Sequence, residues 1–279
     1  MSYKIVADSC CDLPAENRKE SLFEIVPLYL EIGDYSVMDD ENFDQLDFIA
    51  RVAQSPNPAK TACPSPERYM KAYEADVDEV FVVTLSSPLS ASYNSAILGK
   101  TLYEEEHGTD KKIHVVDSWS ACCGEASIAL RIRELKDSGL SFEEVVEKIE
   151  AYKREMRTYF VLDNLDTLRK NGRLTGLKSL VASTLNVKPV MSAHEGVIIQ
   201  RGQAVGTRKA LIRLVDIIAK ETEAVEEKRL MITHVNCYER AMTVRDMILS
   251  RCRFRDAIVV DAAGVATVYA GDGGIVVTA

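Results

Sequence analysis

Residues 79–118, EVFVVTLSSPLSASYNSAILGKTLYEEEHGTDKKIHVVDS, decide the fold class. They contain two short runs rich in β-branched residues, EVFVVTL (79–85) and KIHVVDS (112–118), with the helical segment SYNSAILGKTLYEEEH (92–107) between them. Strands joined through a helix pair in parallel, because the crossover returns the chain to the edge of the sheet where it started. The segment therefore predicts a βαβ unit with a serine-rich loop, SSPLSAS (86–92), after its first strand.

The same alternation of strands and helices extends from KIVAD (4–8) to the helical segment SFEEVVEKIEAYKREM (141–156). Farther along the chain, HEGVIIQRGQAVG (194–206) has the turn dipeptide and the alternating apolar residues of a β-hairpin. We therefore predict an α/β fold with two lobes. Residues 1–160 form a parallel sheet with helices on both faces. Residues 161–279 form a second α/β lobe with some antiparallel strands, and a ligand cleft lies between the lobes.

The composition argues against several classes of protein. The chain has 279 residues, 47% hydrophobic and 28% charged, as in an ordinary globular protein with a substantial core. Its net charge of −9 argues against a nucleic-acid partner, since phosphates call for a clustered basic face. No apolar run reaches the length of a membrane-spanning helix, and the N-terminus lacks the apolar core of a signal peptide. The sequence therefore predicts a cytoplasmic protein without a membrane span.

The seven cysteines form no recognisable metal or disulfide pattern. Two vicinal pairs occur, Cys10–Cys11 and Cys122–Cys123, but the sequence has no CxxC motif. The histidine nearest in sequence to the second pair, His114, lies eight residues before Cys122. In a reducing compartment the cysteines are free thiols. We therefore predict neither a metal ion nor a cofactor.

Polar clusters recur at the ends of predicted strands or just before predicted helices. They are DSCCDLP (8–14), TACPSP (61–66), SSPLSASY (86–93) and DSWSACCG (117–124). Ligands of open α/β sheets bind outside the carboxyl ends of the strands, where helix N-termini offer free N–H groups. Helix capping explains any one of these clusters alone. However, each of the four clusters is longer than a helix cap requires, and together they indicate a shared anion site. The glycine motifs of nucleotide-binding loops are absent, which argues against a nucleotide.

Enzymatic activity is a separate hypothesis. A catalytic serine or cysteine needs a base within hydrogen-bond reach, and the sequence has no GxSxG nucleophile elbow. An acyl-group hydrolase or transferase with Ser90 or Cys63 as its nucleophile is one alternative. A carrier or sensor for a non-lipid carboxylic acid is another. The residues alone do not decide between these two alternatives and a protein that simply binds an anion.

An ordered series of short motifs resembles the DegV family and covers nearly the whole chain. The matching segments are KIVADSCCDLP (4–14), TACPSP (61–66), LSSPLSASYNSA (85–96), VVDSWSACCGEASIAL (115–130), LDNLDTLRKNGRLTG (162–176) and LNVKPVMSAHEGVI (185–198). The resemblance implies a two-lobed α/β protein that binds a long-chain fatty acid between its lobes. It also implies that the protein is not itself an enzyme but presents the carboxylate to a separate fatty acid kinase, which makes an acyl phosphate for phospholipid synthesis.

The resemblance also implies which residues hold the carboxylate. Thr61 and Ser90 supply hydroxyl groups, and the backbone N–H groups of Ala91 and Ser92 assist at the start of the following helix. Where the family commonly has histidine this chain has Tyr269, which donates a hydrogen bond but carries no positive charge at neutral pH.

Basic residues are the expected contacts with a kinase partner. The resemblance places such residues on the second lobe, where Arg173 in NGRLTG and the pair Arg208–Lys209 in GTRKAL are the candidates. A solvated helix face or a structural turn explains these residues equally well.

Overall fold

The computed structural model describes residues 2–174 and 186–279, so the quoted segments 162–176 and 185–198 extend partly beyond the described residues. The described strands are β1 (Tyr3–Asp8), β2 (Phe23–Val26), β3 (Tyr29–Ile32), β4 (Tyr35–Met38), β5 (Lys60–Ala62), β6 (Glu79–Thr84), β7 (Lys112–Asp117), β8 (Thr158–Val161), β9 (Val187–His194), β10 (Val197–Val205), β11 (Arg229–His234), β12 (Asp256–Asp261) and β13 (Ile275–Thr278). The described helices are α1 (Ala15–Arg18), α2 (Gln45–Gln54), α3 (Pro66–Tyr73), α4 (Ser92–His107), α5 (Cys123–Asp137), α6 (Phe142–Glu155), α7 (Asp166–Lys170), α8 (Thr207–Glu221), α9 (Tyr238–Leu249) and α10 (Gly264–Ala270).

The first sheet has four parallel strands in the order β2-β1-β6-β7. The βαβ unit predicted from residues 79–118 is confirmed as β6, α4 and β7. Residues Val80 to Val83 of β6 are buried, which explains why this strand is a continuous apolar run rather than an alternating one. Because all four strands run in one direction, their carboxyl ends lie at one edge of the sheet.

The second sheet has six strands in the order β10-β9-β8-β13-β11-β12. Only β11 and β12 are parallel, and the other neighbours are antiparallel. The predicted hairpin is confirmed as β9 and β10, and its turn residues Glu195 and Gly196 both have positive φ angles. The mixed sheet bears out the predicted fold class. Strand β8 spans residue 160, so the division into residues 1–160 and 161–279 stays a prediction.

A third, antiparallel sheet of three strands, β4-β3-β5, was not predicted from the sequence. The apolar segment FEIVPLYLEI (23–32) divides at Pro27 into β2 and β3, which belong to different sheets. Proline has no backbone N–H group and therefore interrupts a strand ladder at this point. Strand β5 carries Thr61, which lies opposite Leu30 in this small sheet.

Helix α5 lies between the two large sheets. It contacts β1 and β6 of the first sheet and β11 and β13 of the second. Ten of its fifteen residues are buried, including Glu125 near its N-terminus. One hydrophobic core surrounds this helix and includes Phe81 from the first sheet and Phe160 and Val276 from the second. The two sheets therefore share a core across α5.

The outer helices cover the remaining faces. Helices α3 and α4 pack on the first sheet with buried tyrosines such as Tyr69 and Tyr73. Helices α8 and α9 pack on the second sheet through Leu214, Ile218 and Val244. None of the helices within residues 2–174 and 186–279 combines the length and the hydrophobicity that crossing a bilayer requires.

Candidate ligand-binding site

The buried carboxyl group of Asp8 holds the strand-end loops of the first sheet together. Its Oδ2 atom accepts hydrogen bonds from the Leu85 N–H at 2.8 Å and from the Ser92 hydroxyl at 2.5 Å. Its Oδ1 atom accepts one from the Cys10 N–H at 3.1 Å. The loop after β6 is also tied to β7, because the Ser87 N–H donates to Asp117 Oδ1 at 3.0 Å. The polar loops after β1, β6 and β7 therefore meet at one edge, as predicted.

An apolar cavity opens beside these loops. It contains about 780 Å³ of space free of protein atoms, its mouth included. The lining residues are Cys10, Thr61, Leu85, Leu89, Ser90, Trp119, Ser120, Ala121, Cys122, Thr158, Phe160, Leu162, Leu168, Arg173, Ala193, Ile198, Val265, Ala266, Tyr269, Ala270 and Val276. Residues of the second large sheet, of β5, of the loops that follow the first-sheet strands and of α10 contribute to this wall, and most of them are hydrophobic.

Five residues with hydroxyl groups line the cavity; Ser120 and Thr158 are buried and hydrogen-bond each other at 2.6 Å, and the other three are partly exposed. Thr61 comes from β5, Ser90 from the loop after β6, and Tyr269 from α10. The Thr61 Oγ1 and Tyr269 hydroxyl oxygens are 3.1 Å apart and share a hydrogen bond, although 208 residues separate them in sequence. These three side chains are partly exposed, so their polar atoms are accessible from the cavity. The structure thus brings together the hydroxyl residues that the resemblance singled out.

Arg173 lies at this cavity rather than on an open face of the second lobe. Its Nε atom donates to the Leu89 carbonyl at 3.1 Å, and another guanidinium nitrogen donates to the Asn171 carbonyl. The guanidinium carbon is 5.7 Å from the centre of the Tyr269 ring, a cation–π distance. Its predicted contact with a partner stays a prediction, whereas its observed contacts are with the rim of the cavity.

Ala91 and Ser92 lie immediately behind this rim and do not line the cavity. Ser92 is fully buried, and its hydroxyl group bonds Asp8 and the Tyr69 hydroxyl, the latter at 2.6 Å. The Ser92 N–H donates to Ser90 Oγ at 3.2 Å. Ser92 therefore orients Ser90 and leaves no hydroxyl of its own for a ligand. Ala91 is exposed and precedes the first residue of α4.

The other two predicted docking residues lie away from the cavity. Arg208 and Lys209 are exposed in the first turn of α8. Neither lines the cavity. Both side chains are therefore accessible on the protein surface.

The geometry does not supply a base to either candidate nucleophile. Ser90 Oγ accepts a hydrogen bond from the Ser92 N–H, and Cys63 Sγ contacts Ser95 Oγ at 3.8 Å. Among the described residues, neither nucleophile has a hydrogen bond to a histidine or a carboxylate. Activation of a serine or cysteine requires such a contact.

Buried acidic residues surround the strand ends. Burial raises the pKa values of Asp8, Asp39 and Glu125, because an ionised carboxylate loses its hydration there. Burial also raises the pKa of Asp12 to about 7, and a hydrogen bond from the Ala263 N–H at 2.7 Å opposes this shift. Asp39 accepts hydrogen bonds from the N–H groups at the start of α10. Asp12 and Asp39 therefore position the helix that carries Tyr269.

The Asp12 carboxyl makes stability depend on pH. Its folded pKa is about 7 against an ordinary value of 3.8, so the native protein holds this proton more tightly than the unfolded chain. The free energy of unfolding therefore falls as pH rises between the two values and levels off above the folded pKa. Between about pH 5 and pH 8 we expect the free energy of unfolding of the unmodified protein to decrease by about 2 kcal/mol more than that of Asp12→Asn, which has no carboxyl group at this position. Urea unfolding at both pH values measures it.

The matched control for this experiment is Asp34→Asn, since Asp34 is exposed in the turn between β3 and β4. Asp34→Asn is expected to keep the pH dependence of the unmodified protein. Equal pH dependence in Asp12→Asn and the unmodified protein would contradict the assigned pKa.

Sequence reasoning missed several residues of the site. Asp8 was quoted within a motif without a role, yet it organises the loops. Its position as the last residue of a buried strand was the available signal, because an acid in that position needs donors. Trp119 and the α10 residues Val265 and Ala266 carry no local signal for a cavity wall.

Fold and cavity together define an α/β protein with two large sheets, an apolar cavity and hydroxyl groups at its rim. A family model described as "Uncharacterised protein, DegV family COG1307" matches residues 2–279. The chain belongs to the DegV family, which confirms the resemblance read from the motifs. A DegV domain-containing protein of Streptococcus pneumoniae is 36% identical over 282 residues, covering 99% of this chain and 98% of the relative.

Solved structures of DegV family proteins are also similar to this chain over its whole length. A DegV family protein from Ruminococcus gnavus, refined with vaccenic acid, has a TM-score of 0.97 and 48% identity, with 100% of each chain covered. The Streptococcus pneumoniae Fatty Acid Kinase (Fak) B3 protein, loaded with linoleic acid, has a TM-score of 0.91 and 33% identity. That comparison covers 100% of this chain and 99% of the other.

Proposed function

We propose that this protein binds one long-chain fatty acid in the apolar cavity and presents its carboxylate to a separate fatty acid kinase. The observation that carries the proposal is the hydrogen bond of 3.1 Å between Thr61 and Tyr269 at the wall of a predominantly apolar cavity. A hydrogen-bonded pair of partly exposed hydroxyl groups on such a wall matches a ligand with one polar end and a long apolar chain. The fatty acids bound by the Ruminococcus gnavus and Streptococcus pneumoniae relatives support the same ligand class.

The carboxylate accepts hydrogen bonds from Thr61 and Ser90 in this proposal. Each hydroxyl has one proton to donate, so the Thr61–Tyr269 contact uses one proton and leaves the other for the ligand. Ser90 is oriented by the Ser92 N–H and directs its own proton toward the cavity. The Ala91 N–H contributes through the N-terminus of α4, where the helix dipole favours an anion.

Arg173 supplies the positive charge that Tyr269 lacks. A guanidinium group is charged at every physiological pH, and this one lies 5.7 Å from the centre of the Tyr269 ring. It favours an ionised carboxylate at the rim while its own hydrogen bonds go to backbone carbonyls. The combination of a neutral phenol and a nearby cation replaces the histidine of other family members.

The hydrocarbon tail supplies most of the binding energy. About fourteen buried methylenes at ~0.8 kcal/mol each give a gross transfer free energy of ~11 kcal/mol. Association costs of about 4–15 kcal/mol offset much of this gain. Affinity therefore follows chain length, and the hydroxyl groups fix the orientation of the headgroup.

Presentation to a kinase requires that the headgroup stay accessible. The lobes of residues 1–160 and 161–279 enclose the chain in this proposal, and the carboxylate remains at the mouth between them. The exposed residues Arg208 and Lys209 are the proposed contacts with the kinase, and their charge suits an acidic partner surface. The name of the Streptococcus pneumoniae relative supports the kinase connection.

Native mass spectrometry of the protein purified from cells tests the function. We expect a bound mass in the range of long-chain fatty acids, and we expect added oleic acid to bind with one-to-one stoichiometry. A ligand-free protein that does not bind oleic or palmitic acid would contradict the proposal. Thermal stabilisation by short carboxylic acids alone would instead indicate a carrier for a non-lipid acid.

A further inference from the structure

We infer that Trp119 sets the longest acyl chain that the cavity accepts; this inference rests on the proposed fatty acid binding. Trp119 lines the apolar cavity and also lines a second, adjacent cavity, which contains about 650 Å³ of space free of protein atoms with its mouth included. The two cavities share only Trp119, Thr158 and Ala193 among their described lining residues. Since Thr158 and Ala193 have small side chains, the indole ring is the main barrier between the cavities.

The barrier is distinct from the polar rim. None of Thr61, Ser90, Arg173 and Tyr269 lines the second cavity. Among the described residues, the wall between these polar groups and the second cavity is therefore formed by Trp119, Thr158 and Ala193.

The second cavity is unsuited to a hydrocarbon tail. Its lining includes the cationic side chains of Lys153, Arg154 and Arg157, as well as His194 and Glu195. Methylenes that enter such polar surroundings gain little transfer free energy, because charged groups retain water around them. The second cavity therefore does not extend the apolar cavity for a longer chain while Trp119 is in place.

Contacts on both its backbone and its ring fix Trp119 in this position. The Trp119 N–H donates to Asp117 Oδ1 at 3.3 Å, and its φ angle of 53° turns the backbone sharply after β7. The ammonium group of Lys153 lies 4.5 Å from the centre of the indole ring. Lys153 is itself held by an ion pair of 2.6 Å with Glu150. These contacts hold the indole in place from the side of the second cavity.

Affinity should therefore rise with chain length and then stop rising. Each added methylene tightens binding by about fourfold while it enters apolar surroundings. Once the terminal methyl group reaches the indole, further carbons have no apolar space, and the affinity levels off or falls. In a variant without the indole ring, affinity should therefore continue to rise with chain length up to longer chains.

A series of straight-chain acids from octanoic to docosanoic acid tests the inference by competition with a fluorescent fatty acid analogue. In Trp119→Ala the levelling-off point should move to chains longer by about two carbons or more, since an indole is larger than several methylenes. Trp119→Phe should shift it less. Leu168→Ala is the matched control, because Leu168 lines the apolar cavity and not the second one. It should weaken binding of all chain lengths without moving the levelling-off point.

The unmodified protein provides an independent readout. Trp119 is the only tryptophan in the chain, so its fluorescence reports on this barrier alone. We expect short acids to bind with little change in emission and acids near the length limit to shift it. Binding of fatty acids with the same length limit in all variants would overturn the role of Trp119 and leave the proposed function intact. A complete lack of binding by the unmodified, folded protein would overturn both.

Discussion

Replacing Thr61 with valine and Ser90 with alanine in one variant is expected to weaken binding of oleic acid by about a hundredfold. Each substitution removes a hydroxyl donor from an ionised carboxylate, and such hydrogen bonds are worth about 1.5 kcal/mol or more. Two of them together correspond to about 3 kcal/mol, or roughly two factors of ten in the dissociation constant. Isothermal titration calorimetry with oleic acid measures the change.

Ser87→Ala is the control for this double variant. Ser87 belongs to the same loop, but it does not line the cavity, and its backbone N–H rather than its side chain bonds Asp117. We expect its affinity to equal that of the unmodified protein. Unchanged affinity in the double variant, with the fold intact by circular dichroism, would show that other groups hold the carboxylate.

Asp8→Ala is expected to lower the free energy of unfolding by about 3 kcal/mol. The substitution leaves three buried donors without their partner, the N–H groups of Cys10 and Leu85 and the hydroxyl of Ser92. Each unsatisfied buried donor costs about 1–3 kcal/mol, and relief of the carboxyl's own desolvation offsets part of the total. Urea unfolding at neutral pH measures the loss.

The same substitution should also disturb the site, because Ser92 positions Ser90. We therefore expect weaker fatty acid binding under conditions where Asp8→Ala is still folded. Asp34→Ala, which removes an exposed carboxyl, is the control and should leave both stability and binding unchanged. A loss below about 1 kcal/mol in Asp8→Ala would mean that this carboxyl does not organise the loops.

The sequence predicted the large sheets because their signals are local. Strand runs such as EVFVVTL and helix patterns such as residues 92–107 indicate their structure within a few residues. Helix α10 was missed for the opposite reason: its residues are mostly buried, and its side chains provide no local cap. The carboxylates of Asp12 and Asp39, more than 220 residues away, accept the N–H groups at its start.

The sequence predicted the location of the site but not the contacts between its residues. Parallel strands carry their end loops to one edge, so the convergence of the polar clusters followed from the fold class alone. The approach of Thr61 to Tyr269 did not follow from spacing or periodicity, and only the family resemblance suggested it. Arg173 was assigned to partner docking because the family resemblance implies exposed basic residues on the second lobe. The structure places it at the cavity through hydrogen bonds to Leu89 and Asn171, which no sequence pattern encodes.

A crystal structure of the protein grown with oleic acid tests the central claim most directly. We expect one acyl chain in the apolar cavity, with its carboxylate oxygens within about 3.0 Å, the usual upper limit for O–H···O hydrogen bonds, of Thr61 Oγ1 and Ser90 Oγ. Its terminal methyl group should point toward the interior. An acyl chain bound elsewhere, or one with its carboxylate far from both hydroxyl groups, would contradict the account.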